Sequence, residues 1–135
     1  MLAMRWVHDL NAFNKLSLED QELVIGRTKP DSVELSDRVK PPTAHIARTS
    51  ITVGNEEIQI FRRSVPYGSV KEYGLYFLAF SADPSRFDRM LRRMYGTSGD
   101  GIRDRLLDFS RPVSGSYYFA PSINIINELA GHETT

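Results

Sequence analysis

The sequence contains no cysteine, and that absence excludes disulfides, thiolate catalysis, zinc ribbons and iron–sulfur clusters. Surplus charge is missing too: Lys plus Arg number 17, Asp plus Glu number 17, and the net charge is zero. A generic binder of nucleic acid or anionic membrane takes its affinity from excess positive charge, so neither partner is expected. No apolar run approaches the roughly 20 residues that span a bilayer. The opening MLAMRWVHDL also lacks the long apolar core of a secretory signal. A reducing, cytoplasmic location is the resulting expectation. Histidine is scarce, at His8, His45 and His132 only, with no close spacing that would build a zinc site. A Walker loop, a G-x-G-x-x-G turn and a G-x-S-x-G nucleophile elbow are all absent. SGDGIRD reads as a glycine-bearing break, not a phosphate loop.

What is present is one domain's worth of chain. At 135 residues, with 41% hydrophobic and 25% charged, it can bury a sizeable core. Leu2 to Asp9 alternates as a strand, with Met4, Trp6 and His8 on one face. KLSLEDQELVIGR follows with Ser17 as helix cap and Gly26 at the exit. Thr28 to Ile46 carries three prolines and few large apolar residues; a loop of that length usually has a task. EEIQIFRRSVPYG then alternates as a strand, with Ile58, Ile60, Arg62 and Ser64 on one face and Phe61, Arg63 and Val65 on the other. GLYFLAFSA, from Gly74 to Ala82, is a second strand, paired antiparallel to the first.

DPSRFDRMLRRMYG predicts a helix capped by Asp83, with Pro84 at its first position and a stripe of Phe87, Met90, Leu91 and Met94 facing the core. A short helical piece, GIRDRLLDFS, leads to a last strand from Gly115 to Pro121. The order strand, helix, strand, strand, helix, strand predicts an α+β, ferredoxin-like fold (a split βαβ): an antiparallel sheet with helices on one face. It occupies residues 1–122, and 123–135 read as a polar tail.

One set of residues points to chemistry. His45 ends the proline-bounded loop, while Arg62 and Ser64 share a strand face just downstream. A haem iron needs an axial imidazole, and a peroxidase needs a cation and hydrogen-bond donors on the opposite side. Arginine suits that second task because it stays protonated. The imidazole in turn needs a carboxylate on its other nitrogen, for which Asp104 and Asp108 both qualify.

The segments VIGRTKPDSVEL, AHIARTS, FRRSVPYG, GLYFLAFS and RPVSGSYYFAPS together resemble the C-terminal half of dye-decolorizing (DyP-type) haem peroxidases. The likeness is to the bacterial class with an R-R-S-x-P-Y-G distal strand, and it runs from Arg5 to about Ser122. It implies haem b as cofactor, hydrogen peroxide and small organic donors such as dyes or phenols as substrates, and self-association. It also implies roles. His45 matches the proximal iron ligand, Arg62 the distal arginine and Ser64 the polar residue beside it. Arg27 is placed toward a haem propionate, and Asp108 is chosen as the proximal carboxylate. Tyrosines 67, 73, 95, 117 and 118, and Trp6, are candidate electron relays. Family members carry a G-x-x-D-G motif in their first half, and this sequence has none. A haem-bearing half, or an impaired haem-binding or assembly module, is therefore expected.

Overall fold

The computed structural model describes residues 1–131. Seven strands and five helices follow in chain order, with one turn of 3-10 helix at Arg105–Asp108. Strand β1 (Leu2–His8) is central in the main sheet. It pairs antiparallel with β6 (Tyr73–Phe80) on one side and β7 (Ser110–Tyr117) on the other. The short β4 (Phe61–Arg62) and β5 (Val65–Gly68) both add to the far edge of β6, and β2 (Thr52–Val53) with β3 (Glu56–Glu57) forms a separate ribbon. The fold is α+β with an antiparallel ferredoxin-like sheet, as the element order predicted.

Residues alternate across the pleat, so β1 sends Leu2, Met4, Trp6 and His8 to one face, opposite Ala79, Phe77, Leu75 and Tyr73 of β6. Helix α4 (Ser85–Met94) covers that face, burying Phe87, Met90 and Met94. Leu2, Ala79 and Phe87 form one buried cluster; Trp6, Ile51, Met90 and Met94 form another. Burial of a side chain as large as Phe87 contributes roughly 1.5–3 kcal/mol. The expected stripe is therefore the core, with Leu91 packed at its margin. Asp83 caps α4 through Ser85 N at 2.9 Å, although the helix begins one residue later than predicted.

Several boundaries differ from expectation. Helix α1 (Leu10–Asn14), capped by Asp9, falls where no element was predicted. Helix α2 (Leu18–Ile25) has its predicted ends: Ser17 Oγ accepts from Asp20 N, and Gly26 closes it at φ +90°. The predicted strand through FRRSVPYG is broken into β4 and β5, because Arg63 and Ser64 leave the regular ladder between them. β7 begins five residues before the predicted Gly115. RPVS reads poorly as strand in isolation, yet β1 offers an open edge, and Pro112 is tolerated because β7 is itself an edge strand. The tail is corrected as well. Ile123–Gly131 forms helix α5, with Ile123, Ile126 and Leu129 exposed; 132–135, including His132, lie outside the described residues.

Gly74 shows how closely the sheet is built. A Cβ there would lie 2.0 Å from the Trp6 carbonyl and 2.6 Å from the Tyr67 ring. Gly74→Ala is expected to destabilise the chain by about 1–3 kcal/mol through overpacking, measured as a lowered urea midpoint with unchanged m-value.

Candidate active site

Helix α3 (His45–Thr49) starts at the histidine singled out in the sequence. Its first turn is fixed from three sides. Ala44, just before it, is fully buried. The αL turn at Gly26 brings Ile46 so close that a Cβ on the glycine would meet Ile46 Cγ2 at 2.3 Å. The buried Arg48 donates from Nε to the Arg93 carbonyl at 3.0 Å and pairs with Asp100 at 2.8 Å, tying α3 to the end of α4.

His45 Nδ1 lies 2.7 Å from Asp104 Oδ2. Asp104 is 0% exposed, and its second oxygen accepts from Leu106 N at 2.9 Å, capping the 3-10 turn. An ionised carboxylate accepts only, so the ring proton sits on Nδ1 and Nε2 is left for a ligand. The choice of Asp108 as the carboxylate partner is thereby corrected. Asp108 is exposed, four residues on at the end of the 3-10 turn, and is paired with Arg103.

His45 opens onto a narrow slot with about 100 Å3 accessible to water. Met4, Trp6, Leu75, Phe77, Met90 and Leu107 make its walls, and Arg62 reaches it from β4. Arg62 is exposed and forms no ion pair among the described residues. The imidazole and the guanidinium predicted to work together thus border one apolar cavity. Arg63 lies apart, its guanidinium 4.3 Å from the Phe61 ring centroid.

Two expected residues sit at a distance. Ser64 is half-buried but does not line the slot. Arg27 lines an adjoining, more polar cavity that also contains His45 and Arg62, and it donates to the Ser32 carbonyl at 2.6 Å and faces Glu34 at 3.7 Å. One residue was overlooked. His8 shares the slot, bonded through Nδ1 to Ser110 Oγ at 2.8 Å. Its alternation with Met4 and Trp6 was the available signal.

One imidazole backed by a buried carboxylate is a poor protein-only metal site, and no group of three or more potential ligands occurs among the described residues. The arrangement suits a metal that brings its other ligands with it, and the fold around it is an α+β domain of the ferredoxin-like type. The comparisons with known proteins make this specific. A family model described as Dyp-type peroxidase, C-terminal, matches residues 1–125, and the chain belongs to that family. It is 42% identical over 127 residues to a dye-decolorizing peroxidase of Mycolicibacterium paratuberculosis, covering 92% of this chain and 36% of that protein. A Mycobacterium tuberculosis dye-decolorizing peroxidase is 41% identical over 126 residues, covering 91% and 38%.

Among solved structures, a dye-decolorizing protein from V. cholerae superposes with TM-score 0.86 at 45% identity, covering 94% of this chain and 42% of that one. A DypB variant from Rhodococcus jostii RHA1, solved in complex with heme, gives TM-score 0.88 at 39% identity, covering 95% and 42%. The chain spans well under half the length of these relatives.

Two outcomes are expected. Asp104→Ala leaves His45 Nδ1 and Leu106 N without their acceptor and is expected to cost about 1–3 kcal/mol, whereas Asp108→Ala stays within roughly 0.5 kcal/mol; urea denaturation of both variants checks this. Burial pushes the His8 imidazole below its ordinary value of 6.5. The unfolded chain therefore takes up a proton that the folded chain refuses. Stability present above about pH 6.5 falls as the pH drops below it, and His8→Gln flattens that decline in a pH series of thermal melts.

Proposed function

We propose that this chain is the haem-bearing part of a DyP-type peroxidase, using hydrogen peroxide to oxidise dyes, phenols or similar donors. The observation that carries the reading is the shared slot: His45, with Nδ1 held by Asp104, and the unpaired Arg62 border the same apolar cavity. Haem b would supply redox chemistry at its iron, exchanging electrons with peroxide and with organic donors. His45 would hold the iron through Nε2. Asp104 keeps the proton on Nδ1 and enriches the imidazole's electron density. Arg62 presents a permanent cation where negative charge builds as the peroxide O–O bond breaks. Met4, Leu75, Phe77 and Met90 keep water out of the slot, which strengthens that electrostatic contribution. Arg27, in the polar cavity beside His45, would have a supporting part toward a propionate.

A second reading follows from one feature of the sequence. The G-x-x-D-G motif is absent, so this chain taken alone is a haem-binding or assembly module with little turnover. Reconstitution separates the two readings. Wild-type protein is expected to develop a Soret band with haem, and His45→Ala to lose the ligated spectrum; an unaltered spectrum in that variant refutes the ligand assignment. Arg62→Ala is expected to retain haem while peroxide-dependent dye oxidation falls roughly 10²–10³-fold. Wild-type protein that takes up haem yet oxidises no dye supports the second reading.

A further inference from the structure

The glycine-bearing break SGDGIRD, between α4 and the 3-10 turn, carries two aspartates four residues apart, Asp100 and Asp104. Helix α3 carries their partners three residues apart, His45 and Arg48. Side chains at i and i+3 lie on the same side of a helix. Asp104 meets the imidazole at 2.7 Å. Asp100 meets the guanidinium, with Arg48 Nη2 at 2.8 Å from Oδ2 and 3.2 Å from Oδ1. One connecting segment thus grips a single helical turn at both ends.

The second grip is enclosed and fully paired. Arg48 is 2% exposed, and a buried charge without partners is costly. Its Nε donates to the Arg93 carbonyl, and Arg93 returns the contact. Arg93 Nη2 donates to the Ala47 carbonyl at 2.8 Å, and Arg93 Nε to the Arg48 carbonyl at 3.3 Å. Late carbonyls of α3 find donors in this way. Asp100 is fixed in turn: its Oδ1 accepts from Ser98 Oγ at 3.0 Å and from Ile102 N at 3.2 Å. Gly99 and Gly101, on either side of it, take φ of +103° and +68° and turn the chain back. The Ile102 amide, with Arg48 and Ser98, holds the Asp100 carboxyl below the usual carboxylate range, so it is ionised at neutral pH.

A helix of five residues is too short to hold its own shape, so the direction of His45 depends on what pins the far end of α3. We propose that Arg48 and Asp100 are a positioning pair for His45, keeping its imidazole on Asp104 and its Nε2 free toward the slot. The consequence for haem rests on the reading of His45 as iron ligand, whereas the pose of the ring is a property of the chain alone. Neither Arg48 nor Asp100 lines the slot, so the pair acts through α3 and not on the bound group.

The test uses the full chain and two variants that break the pair differently. Asp100→Asn keeps the side-chain shape and removes its charge; Arg48→Lys keeps the charge and removes the Nε donor. Asp88→Asn, which breaks the exposed Asp88–Arg92 pair on α4, is the control, and circular dichroism verifies that each variant folds. The first readout needs no haem: the Nδ1 proton of His45, assigned in the NMR spectrum by its loss in His45→Ala. Its exchange with solvent is expected to quicken about tenfold in both variants and not in the control. The second readout is the haem dissociation constant from titration of the Soret band, expected to rise roughly tenfold in both variants. A merely structural pair would lower the melting temperature and leave both readouts unmoved. Folded variants with wild-type proton exchange and wild-type haem affinity therefore overturn the proposal. Quickened exchange in variants of a chain that takes up no haem upholds the positioning pair and refutes the haem reading instead.

Discussion

The hydrogen bond between His45 and the buried Asp104 is the constraint on which the site depends. Asp104 is enclosed, and an enclosed carboxylate without partners would be costly. Its two oxygens are committed to the imidazole and to the Leu106 amide. The backbone on either side is committed as well: Asp104 N donates to the Met94 carbonyl and Arg105 N to the Thr43 carbonyl. The end of α4, the residue two before His45 and the 3-10 turn are therefore fixed together. Rotation of the imidazole would leave a buried acceptor unpaired, so the ring orientation is part of the folded state and needs no ligand to set it.

A site of this kind needs two layers, and the fold supplies them from opposite directions. The sheet contributes Met4, Trp6, Leu75 and Phe77, and helix α4 contributes Met90 and Met94. Between these layers the imidazole comes from one loop-borne helix and the guanidinium from an edge strand. The opposite face of the sheet is organised differently. There Arg5 donates from Nε to the Tyr67 hydroxyl at 3.0 Å, and its hydrogen bond with Glu72 holds that carboxyl below the usual carboxylate range. One face is thus apolar and enclosing, and the other sets this paired polar group among Ala3, Val7, Tyr76 and Leu78.

The fold was legible wherever a period was uninterrupted. Alternation in β1 and the stripe Phe87, Met90, Met94 sorted those side chains to the correct face, since burial of a face imposes that spacing on the sequence. The elements that escaped were short or atypical. β7 is rich in serine and carries Pro112, and it is a strand because β1 presents an unfilled edge. Helix α5 was overlooked although Ile123, Ile126 and Leu129 recur along it at helical spacing. Within the site, His45 and Arg62 were singled out together, and the structure sets both on one cavity.

The sequence by itself determined the class of fold, the exclusion of thiol and zinc-cage chemistry, and the residue types suited to iron and peroxide. These follow from composition, local periodicity and motif, which a chain carries without folding. Tertiary structure alone decided that Asp104 and not Asp108 meets His45, that His8 joins the slot, and that Ser64 stands outside it. Those outcomes rest on contacts between segments far apart in the chain. The aspartates differ in which way one turn of 3-10 helix aims them against α3, a direction no local pattern records.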